Sequence, residues 1–218
     1  QILDTMPETD IYRSVWGIYD GLGRILQNQV LDADNSNLLV TDTAYNDQGL
    51  TYRVGEPRAL TGTGGMYGTP NWGSLNHSQS EYDRLGRLTQ ITAPGNIVTQ
   101  SSYDGLSVTV IDPNGHKTMR DSDGLGRMSR VTEFSGENPN WNVYATTLYT
   151  YDVADRLIRV TDDQFNTTHM AYNWLGQKIQ MIDPDMGEWA YQYGALGSLT
   201  QQEDARGQTL VFSYDDLN

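Results

Sequence analysis

Acidic side chains are the most numerous groups in this sequence that could do chemistry, and one cluster of them has the spacing of a calcium loop. Residues 32–37 are Asp-Ala-Asp-Asn-Ser-Asn, with oxygen ligands at the first, third and fifth positions. Asn37 stands where a calcium loop needs its glycine, and Thr43 stands where it needs a bidentate glutamate. An Asx-rich hairpin turn fits these residues better. We therefore predict a turn here and leave calcium binding open.

A glycine-rich stretch offers a second chemical alternative. Residues 61–65 are Thr-Gly-Thr-Gly-Gly, which resembles a phosphate-binding loop, but neither Gly-Lys-Ser/Thr nor a helical pattern follows. A mobile inserted loop is the better interpretation. Tyr67 and Trp72 in the same stretch could stack on a sugar or a partner protein, because exposed aromatic rings are favoured at binding surfaces. We predict loop recognition as a role for these two residues.

The histidines and paired carboxylates also have structural explanations. No histidine has a second histidine at metal-ligand spacing; the three are His77, His116 and His169. The pair Asp162-Asp163 lies at a turn position, where capping explains it better than general acid–base catalysis. The sequence therefore predicts no catalytic, cofactor-binding or metal-binding residue, no cofactor and no enzyme.

Composition excludes several partners. The 218 residues include 14 basic and 28 acidic side chains, giving a net charge of −14, which argues against nucleic acid because phosphate binding needs a basic surface. There is no cysteine, so neither a disulfide framework nor a thiolate metal site can form. No apolar run approaches the length of a membrane helix, so no membrane insertion is predicted. No signal peptide is recognised and the last residues fall inside a repeat, so we expect a fragment of a longer chain.

A period of 21 residues organises the sequence. Tyr151, Tyr172, Tyr193 and Tyr214 are each separated by 21 residues, and each opens a related string such as YDVADR or YNWLGQ. Upstream copies are YDGLGR at residue 19, YDRLGR at residue 82 and the degenerate SDGLGR at residue 122. A fixed period of this length is typical of stacked repeat arrays. Abundant tyrosine, threonine and glycine favour strands and turns over helices.

Turn chemistry explains the repeated string. Aspartate is favoured at the first position of a type I turn and glycine at the fourth, where positive φ is needed before a strand. A second turn follows about eleven residues after the tyrosine, at Asp162, Asp183 and Asp204, with Glu133 in the equivalent place. Each repeat is therefore predicted to be two antiparallel strands.

Side-chain alternation predicts how the repeats contact each other. Trp189, Tyr191 and Tyr193 occupy alternate positions, so they share one face of the sheet, where tyrosines of neighbouring repeats could form an aromatic ladder. The recurring arginines of the string are predicted to pair with aspartates across strands. Two irregularities interrupt the pattern: an inserted loop at residues 59–79 and a polar loop at residues 136–142.

The strings resemble the YD-repeat, or Rhs-repeat, family, whose pattern is Tyr-Asp-x-x-Gly-Arg-Leu followed by a second glycine turn. The resemblance covers the whole chain apart from residues 59–79. The matching positions are Tyr19, Asp20, Gly23, Arg24, Tyr82, Asp83, Gly86, Arg87, Asp123, Gly126, Arg127, Tyr151, Asp152, Tyr172, Gly176, Tyr193 and Gly197. We predict a structural role for these residues, although the later copies lose the glycine or the arginine.

The resemblance implies a long sheet that spirals into a hollow shell. In bacterial Rhs proteins and in the B and C components of insecticidal toxin complexes, the shell encloses a toxic polypeptide; in teneurin-like animal proteins, similar repeats belong to a cell-surface adhesion molecule. Older descriptions associate such repeats with carbohydrate binding. The aspartyl autoprotease and the variable toxin domain of the family are not recognised in this sequence.

We therefore predict an all-β fold of tandem two-stranded YD/Rhs repeats, forming a long twisted antiparallel sheet and a segment of a spiral β-shell. Residues 1–218 are predicted to be a single array with loop 59–79 inserted. The predicted function is structural, in a large secreted or surface bacterial protein that encapsulates a toxin polypeptide. Its predicted partners are flanking repeats or copies of itself, and the enclosed toxin. A surface-displayed adhesion or glycan-binding module and a self-assembling extracellular filament are the alternatives.

Overall fold

The computed structural model describes residues 14–31, 37–62 and 64–215, and every regular element within these ranges is a β-strand. The prediction of an all-β fold is therefore confirmed, and the described part of the chain has no helix that is long and apolar enough to cross a membrane. Residues 32–36 of the acidic turn lie outside the described residues. The strands are β1 (Val15–Tyr19), β2 (Ile25–Leu31), β3 (Leu38–Tyr45), β4 (Thr51–Gly55), β5 (Arg58–Leu60), β6 (His77–Tyr82), β7 (Leu88–Ala93), β8 (Ile97–Asp104), β9 (Ser107–Ile111), β10 (Lys117–Ser122), β11 (Met128–Glu137), β12 (Asn140–Tyr151), β13 (Leu157–Thr161), β14 (Thr167–Tyr172), β15 (Lys178–Asp183), β16 (Gly187–Tyr193), β17 (Leu199–Glu203) and β18 (Thr209–Val211).

The chain divides into two compact units, Gln1–Gln100 and Ser101–Asn218. In the first unit, β1, β2 and β3 are antiparallel neighbours, and β3 then divides its pairing between two strands. Its first residues, from Leu38 to Val40, pair with β5, whereas Thr43 to Tyr45 pair with β4. From β4 the sheet continues through β6, β7 and β8. The inserted segment thus leaves the sheet between β5 and β6.

In the second unit, strands β9 to β18 form an antiparallel meander in which each strand pairs with the next one in the chain. Short turns make this order possible, because antiparallel neighbours can be joined by a few residues. The predicted two-stranded repeats are confirmed. The single array over residues 1–218, with one inserted loop, remains a prediction.

The two units bury different amounts of their side chains. In the first unit, Leu38 and Val40 form an apolar centre, and Gln27, Gln29 and Asp42 beside them are 0% exposed. Strands of the second unit bury one face only partly. Along β16 the half-buried and exposed residues alternate, with the tyrosines on the half-buried face, as the alternation of residue types predicts.

Two predicted turns are wrong. Glu133 lies within β11 opposite Ala145, so no turn occurs there. The predicted polar loop at 136–142 is largely strand, because β11 runs to Glu137 and β12 begins at Asn140. The inserted loop is also shorter than predicted. Its ends at 59–60 and 77–79 belong to β5 and β6, and of the described residues between them, 61–62 and 64–76 lie outside strands.

Candidate functional site

Each repeat begins with a tight turn whose backbone recurs along the chain. After Tyr19, the Gly23 amide donates to the Asp20 carbonyl (3.1 Å) and the Asp20 amide donates to the Arg24 carbonyl (2.9 Å). Gly23 has a φ of 78°, a left-handed conformation that glycine adopts without steric cost, and the strand register shifts at Tyr19. Gly86, Gly126, Gly176 and Gly197 also have positive φ. The same two backbone bonds close the turns that begin at Asn46, Asp83, Asp123, Asp152, Asn173 and Gly194.

The aspartate of the string holds this turn from within. Oδ1 of Asp20 accepts hydrogen bonds from the backbone amides of Leu22 (2.8 Å) and Arg24 (2.9 Å). Its Oδ2 accepts from Nε of Arg24 at 2.7 Å. The aspartate therefore satisfies two backbone donors that the turn leaves without a partner and neutralises one cation.

The arginines pair inside their own turn, so the predicted cross-strand pairing is wrong as their main contact. Arg24 binds Asp20, and the same separation of four residues joins Arg87 to Asp83, Arg127 to Asp123 and Arg156 to Asp152. The reversal of the chain at the turn explains this, because it brings the fifth residue back over the first. Arg127 adds an ion pair with Asp155 of the next turn, at 2.6 Å.

The tyrosine joins one repeat to the preceding one. The Tyr172 hydroxyl donates to the Leu157 carbonyl at 2.8 Å, and the Arg156 guanidinium lies over the ring, 5.2 Å from its centroid. The carbonyl in each case belongs to the residue after the preceding turn. Equivalent hydroxyl bonds join Tyr45 to Ile25, Tyr82 to Thr51, Tyr151 to Met128, Tyr193 to Lys178 and Tyr214 to Leu199. The predicted aromatic ladder requires each tyrosine ring to lie beside the ring of a neighbouring repeat. An arginine side chain and a backbone carbonyl lie there instead. Tyr19, in the first copy, is 56% exposed.

The inserted segment 61–76 is fixed by a buried polar cluster that the sequence pattern did not reveal. Asp42 accepts a hydrogen bond from Nε of Arg58 (2.6 Å) and another from the Gln27 side-chain amide. Arg58 in turn donates to the Gly68 carbonyl (2.8 Å), and Gln29 donates to the Met66 carbonyl (2.7 Å). The predicted mobile loop is therefore bound to the sheet. The sequence indicates this cluster at one position: Asp42 is a charged residue on the otherwise apolar face of β3.

The two aromatic residues predicted for recognition have different surroundings. Tyr67 is 48% exposed, between two residues whose backbone is bonded to the sheet. Trp72 is half-buried: its ring packs edge-on against His77, with centroids 5.3 Å apart, and Arg53 lies 5.9 Å from it. A role in recognition stays a prediction for both. Within residues 14–31, 37–62 and 64–215, no three metal-ligating side chains come together.

Comparison with known proteins identifies the repeat. Residues 82–117 match the RHS Repeat family. The fold is similar to the crystal structure of TcdB2-TccC3-TEV, with a TM-score of 0.71 and 17% sequence identity over 93% of this chain and 12% of that chain. The stretch from residue 82 to residue 117 is therefore an Rhs repeat.

The structure of the Tc holotoxin pore of Photorhabdus luminescens is also similar to this chain, with a TM-score of 0.68, 16% identity and the same coverage of 93% and 12%. The chain therefore spans about an eighth of the length of these neighbours. No curated protein matches its sequence.

Hydrogen bonds lower the pKa of the carboxylates in the repeated turns. The backbone amide of Arg24 and then its guanidinium hold the pKa of Asp20 below its ordinary value of 3.8, whereas for Asp152 the guanidinium of Arg156 is the larger cause. Burial of the carboxyl groups acts in the opposite direction. The carboxyl groups with lowered pKa in the turns are Asp20, Asp83, Asp112, Asp123, Asp152, Asp162 and Asp183.

Acid is expected to destabilise the repeats as the turn carboxylates become protonated. Because these carboxylates have lower pKa values in the folded chain than in the unfolded chain, their stabilisation is fully present above about pH 4 and is lost as the pH falls through the folded-state pKa values. The urea midpoint, followed by circular dichroism, should change little from about pH 7 to pH 5 and fall below about pH 4. An equal midpoint at about pH 7 and at about pH 3 would contradict the role of the turn carboxylates.

Asp152→Asn provides the matched variant for this experiment. Asn173 occupies the same turn position naturally, and its Oδ1 accepts from the amides of Leu175 and Gln177, both at 3.0 Å. The substitution should therefore keep the turn and lose the ion pair with Arg156. We expect a lower urea midpoint at neutral pH and a shallower decline in acid.

Removing one tyrosine hydroxyl should weaken the connection between two neighbouring repeats. Tyr172→Phe deletes the bond to the Leu157 carbonyl but keeps the ring under Arg156, so a loss of about 1 kcal/mol in the free energy of unfolding is expected. Urea denaturation measures it. Tyr144→Phe is the control, because Tyr144 is 70% exposed, and a comparable loss in both variants would contradict the bond's role.

Proposed function

We propose that this chain is a wall segment of a shell that encloses a toxin polypeptide, within a large secreted or surface bacterial protein. The observation that supports it is the Rhs turn, whose two backbone bonds persist even where aspartate, glycine or arginine has been replaced. What recurs is the hydrogen-bonded frame of a sheet. The similarity to Tc toxin structures over 93% of the chain supports the same proposal.

A steric mechanism needs no catalytic residue. A hydrogen-bonded sheet separates a polypeptide from proteases and solvent as long as its strands stay paired. The turn carboxylates suit this role, since a lowered pKa keeps them ionised and makes them poor general bases near neutral pH. We therefore propose a structural protein without enzymatic activity of its own.

Isolating the native protein tests the shell. An antibody raised against residues 64–215 would capture the protein from the cells that produce it, at whatever length it has. Electron microscopy should show a hollow particle, and proteinase K should leave an enclosed polypeptide intact until urea opens the sheet. A particle without an interior, or a polypeptide digested as fast as an unfolded control, would contradict the proposal.

Glycan recognition is the second candidate function, and the position of Tyr67 favours it. The exposed ring is carried on a backbone that is bonded to the sheet on both sides, which reduces the entropy lost on binding. Deleting the inserted loop is a poor test, because it would uncover the buried Gln27, Gln29 and Asp42. Tyr67→Ala on a glycan array is sharper: loss of a signal supports recognition, whereas binding by neither protein contradicts it.

A further inference from the structure

The first unit already binds an irregular stretch of polypeptide on one face of its sheet. Gln29 donates to the Met66 carbonyl at 2.7 Å and accepts from the Gly65 amide at 2.9 Å. Gln27 donates to the Gly68 carbonyl and accepts from the Gly68 amide, the latter at 3.1 Å. Each glutamine thus uses both its donor and its acceptor on the backbone of the inserted segment.

The spacing of these bonds would suit an extended chain, whereas the inserted segment itself bends at Gly64 and Gly65, whose φ values are 86° and 81°. Moving two residues along β2, from Gln29 to Gln27, moves the contact about two residues along the segment, from Met66 to Gly68. Side chains two residues apart on a strand point to the same face, about 7 Å apart, which is also the repeat of an extended peptide. The side chain of Met66 is 81% exposed and contributes nothing to this recognition. The glutamines therefore bind backbone and do not select a sequence.

The binding face is the one opposite the repeat tyrosines. Gln27 pairs with Ile18, which precedes Tyr19 in β1, so Gln27 points away from the tyrosine face. The same relation holds in the second unit, where Gln201 pairs with Gln192, which precedes Tyr193. Both Gln27 and Gln201 lie eight residues after the tyrosine of their repeat, and so do Gln90 and Gln180. The glutamine is therefore a recurring feature of this face.

Two side-chain amides on this face of the second unit, those of Gln192 and Gln201, do not bind polypeptide in this way. Gln192 is exposed and Gln201 is half-buried, and within the part of the chain that the structure describes neither side-chain amide has a hydrogen-bond partner. Glu203 follows two residues after Gln201, as Gln29 follows Gln27, and it is exposed. By contrast, Gln180 donates to Glu188. Unpaired donors and acceptors thus lie on the face of the second unit that is opposite its tyrosines, as the glutamines of the first unit are opposite Tyr19.

We propose that the face opposite the tyrosines binds polypeptide in an extended conformation, and that Gln192, Gln201 and Glu203 are its contacts in the second unit. This inference rests on the proposed function: this face would be the one turned toward the enclosed polypeptide. Recognition through backbone amides would allow the wall to hold a cargo of any sequence. The inserted segment would be a built-in occupant of the same face.

Photocrosslinking tests the face directly, because the chain has no cysteine of its own. A benzophenone maleimide would be attached to Gln192→Cys, or to Ile179→Cys as the control; Ile179 is 39% exposed and precedes Gln180 in β15, so it lies on the tyrosine face. The probe is a neutral, biotinylated peptide, acetyl-Gly-Gly-Met-Tyr-Gly-Thr-Pro-amide, with the sequence of residues 64–70. We expect at least about fivefold more crosslinking from position 192 than from position 179, and a loss of this excess when the glycine amides are N-methylated.

Two neighbouring glutamines provide the second control. Gln201→Leu should reduce crosslinking from position 192 at least about fivefold, whereas Gln202→Leu, on the opposite face, should leave it unchanged. Equal crosslinking from both positions, or equal crosslinking of the N-methylated peptide, would overturn the proposal. The native particle distinguishes the two proposals. If an enclosed polypeptide is protected but crosslinks only from position 179, the proposed binding face is wrong and the shell proposal stands. If the particle protects no polypeptide, the shell proposal is wrong.

Discussion

Asp42→Ala is expected to lower the free energy of unfolding of the first unit by roughly 3–5 kcal/mol, because it breaks a buried ion pair from one side. Asp42 is 0% exposed and binds Arg58 at 2.6 Å. Without the carboxylate, the guanidinium of Arg58, whose side chain is 22% exposed, would lose its counter-ion, and the Gln27 amide would lose an acceptor. The inserted segment would lose its support, since Arg58 and Gln27 both hold Gly68. Hydrogen exchange of peptides from β2, β3 and the segment measures the loss where it occurs.

Two further variants separate charge from packing. Asp42→Asn keeps an acceptor of the same shape but removes the charge, so it should cost less than Asp42→Ala. Asp47→Ala, at an exposed turn position, should change stability by no more than about 0.5 kcal/mol. If Asp42→Ala were as mild as Asp47→Ala, the cluster would not be what fixes the inserted segment.

The parts of this structure that the sequence predicts are those with local causes. Turn residues act over four or five positions, so Asp-x-x-Gly is enough to place the reversals after Tyr19 and Tyr82, and Asn-x-x-Gly is enough to place the one after Tyr172. Strand alternation is equally local, and the half-buried face of β16 follows from it. Because the period repeats these local signals, the order of the strands in the second unit follows as well.

The partners of the repeated side chains were not predictable from spacing alone. The sequence spacing would allow Arg156 to pair with any of several acidic residues. The geometry of the turn selects Asp152 as its partner. The Tyr172 ring is directed toward Arg156 and the Leu157 carbonyl because the bulge after each turn brings the start of the preceding strand beneath it. Glu133 failed as a turn for a related reason: a long hairpin can continue wherever both strands keep their pairing.

The inserted segment shows where local reasoning ends. Its fixed position depends on residues about 37 to 41 positions away, Gln29 and Gln27, which by themselves have the pattern of a polar, solvent-facing strand. No periodic signal reports that a loop will return to cover them. The pairing of β3 with β5 at its start and with β4 at its end is also set by tertiary structure, because both strands are suitable partners for β3.

Gly64→Ala is the second large effect expected, and it tests whether the inserted segment really packs on the sheet. A Cβ at Gly64 would lie 2.5 Å from the Trp16 ring, and the residue has a φ of 86°. The left-handed backbone costs an alanine about 1–2 kcal/mol, and overpacking against a rigid indole adds about 1–3 kcal/mol. We expect a loss of roughly 2–5 kcal/mol for the first unit, measured by urea denaturation with hydrogen exchange in β1 and β2.

Gly23→Ala separates the two causes. Gly23 has nearly the same φ, 78°, but a Cβ there would meet nothing within 4 Å. It should therefore cost only the backbone strain of about 1–2 kcal/mol. The difference between the two variants is the contribution of the contact with Trp16. Equal losses would mean that the segment does not rest on Trp16 and is held on this face by Gln27 and Gln29 alone.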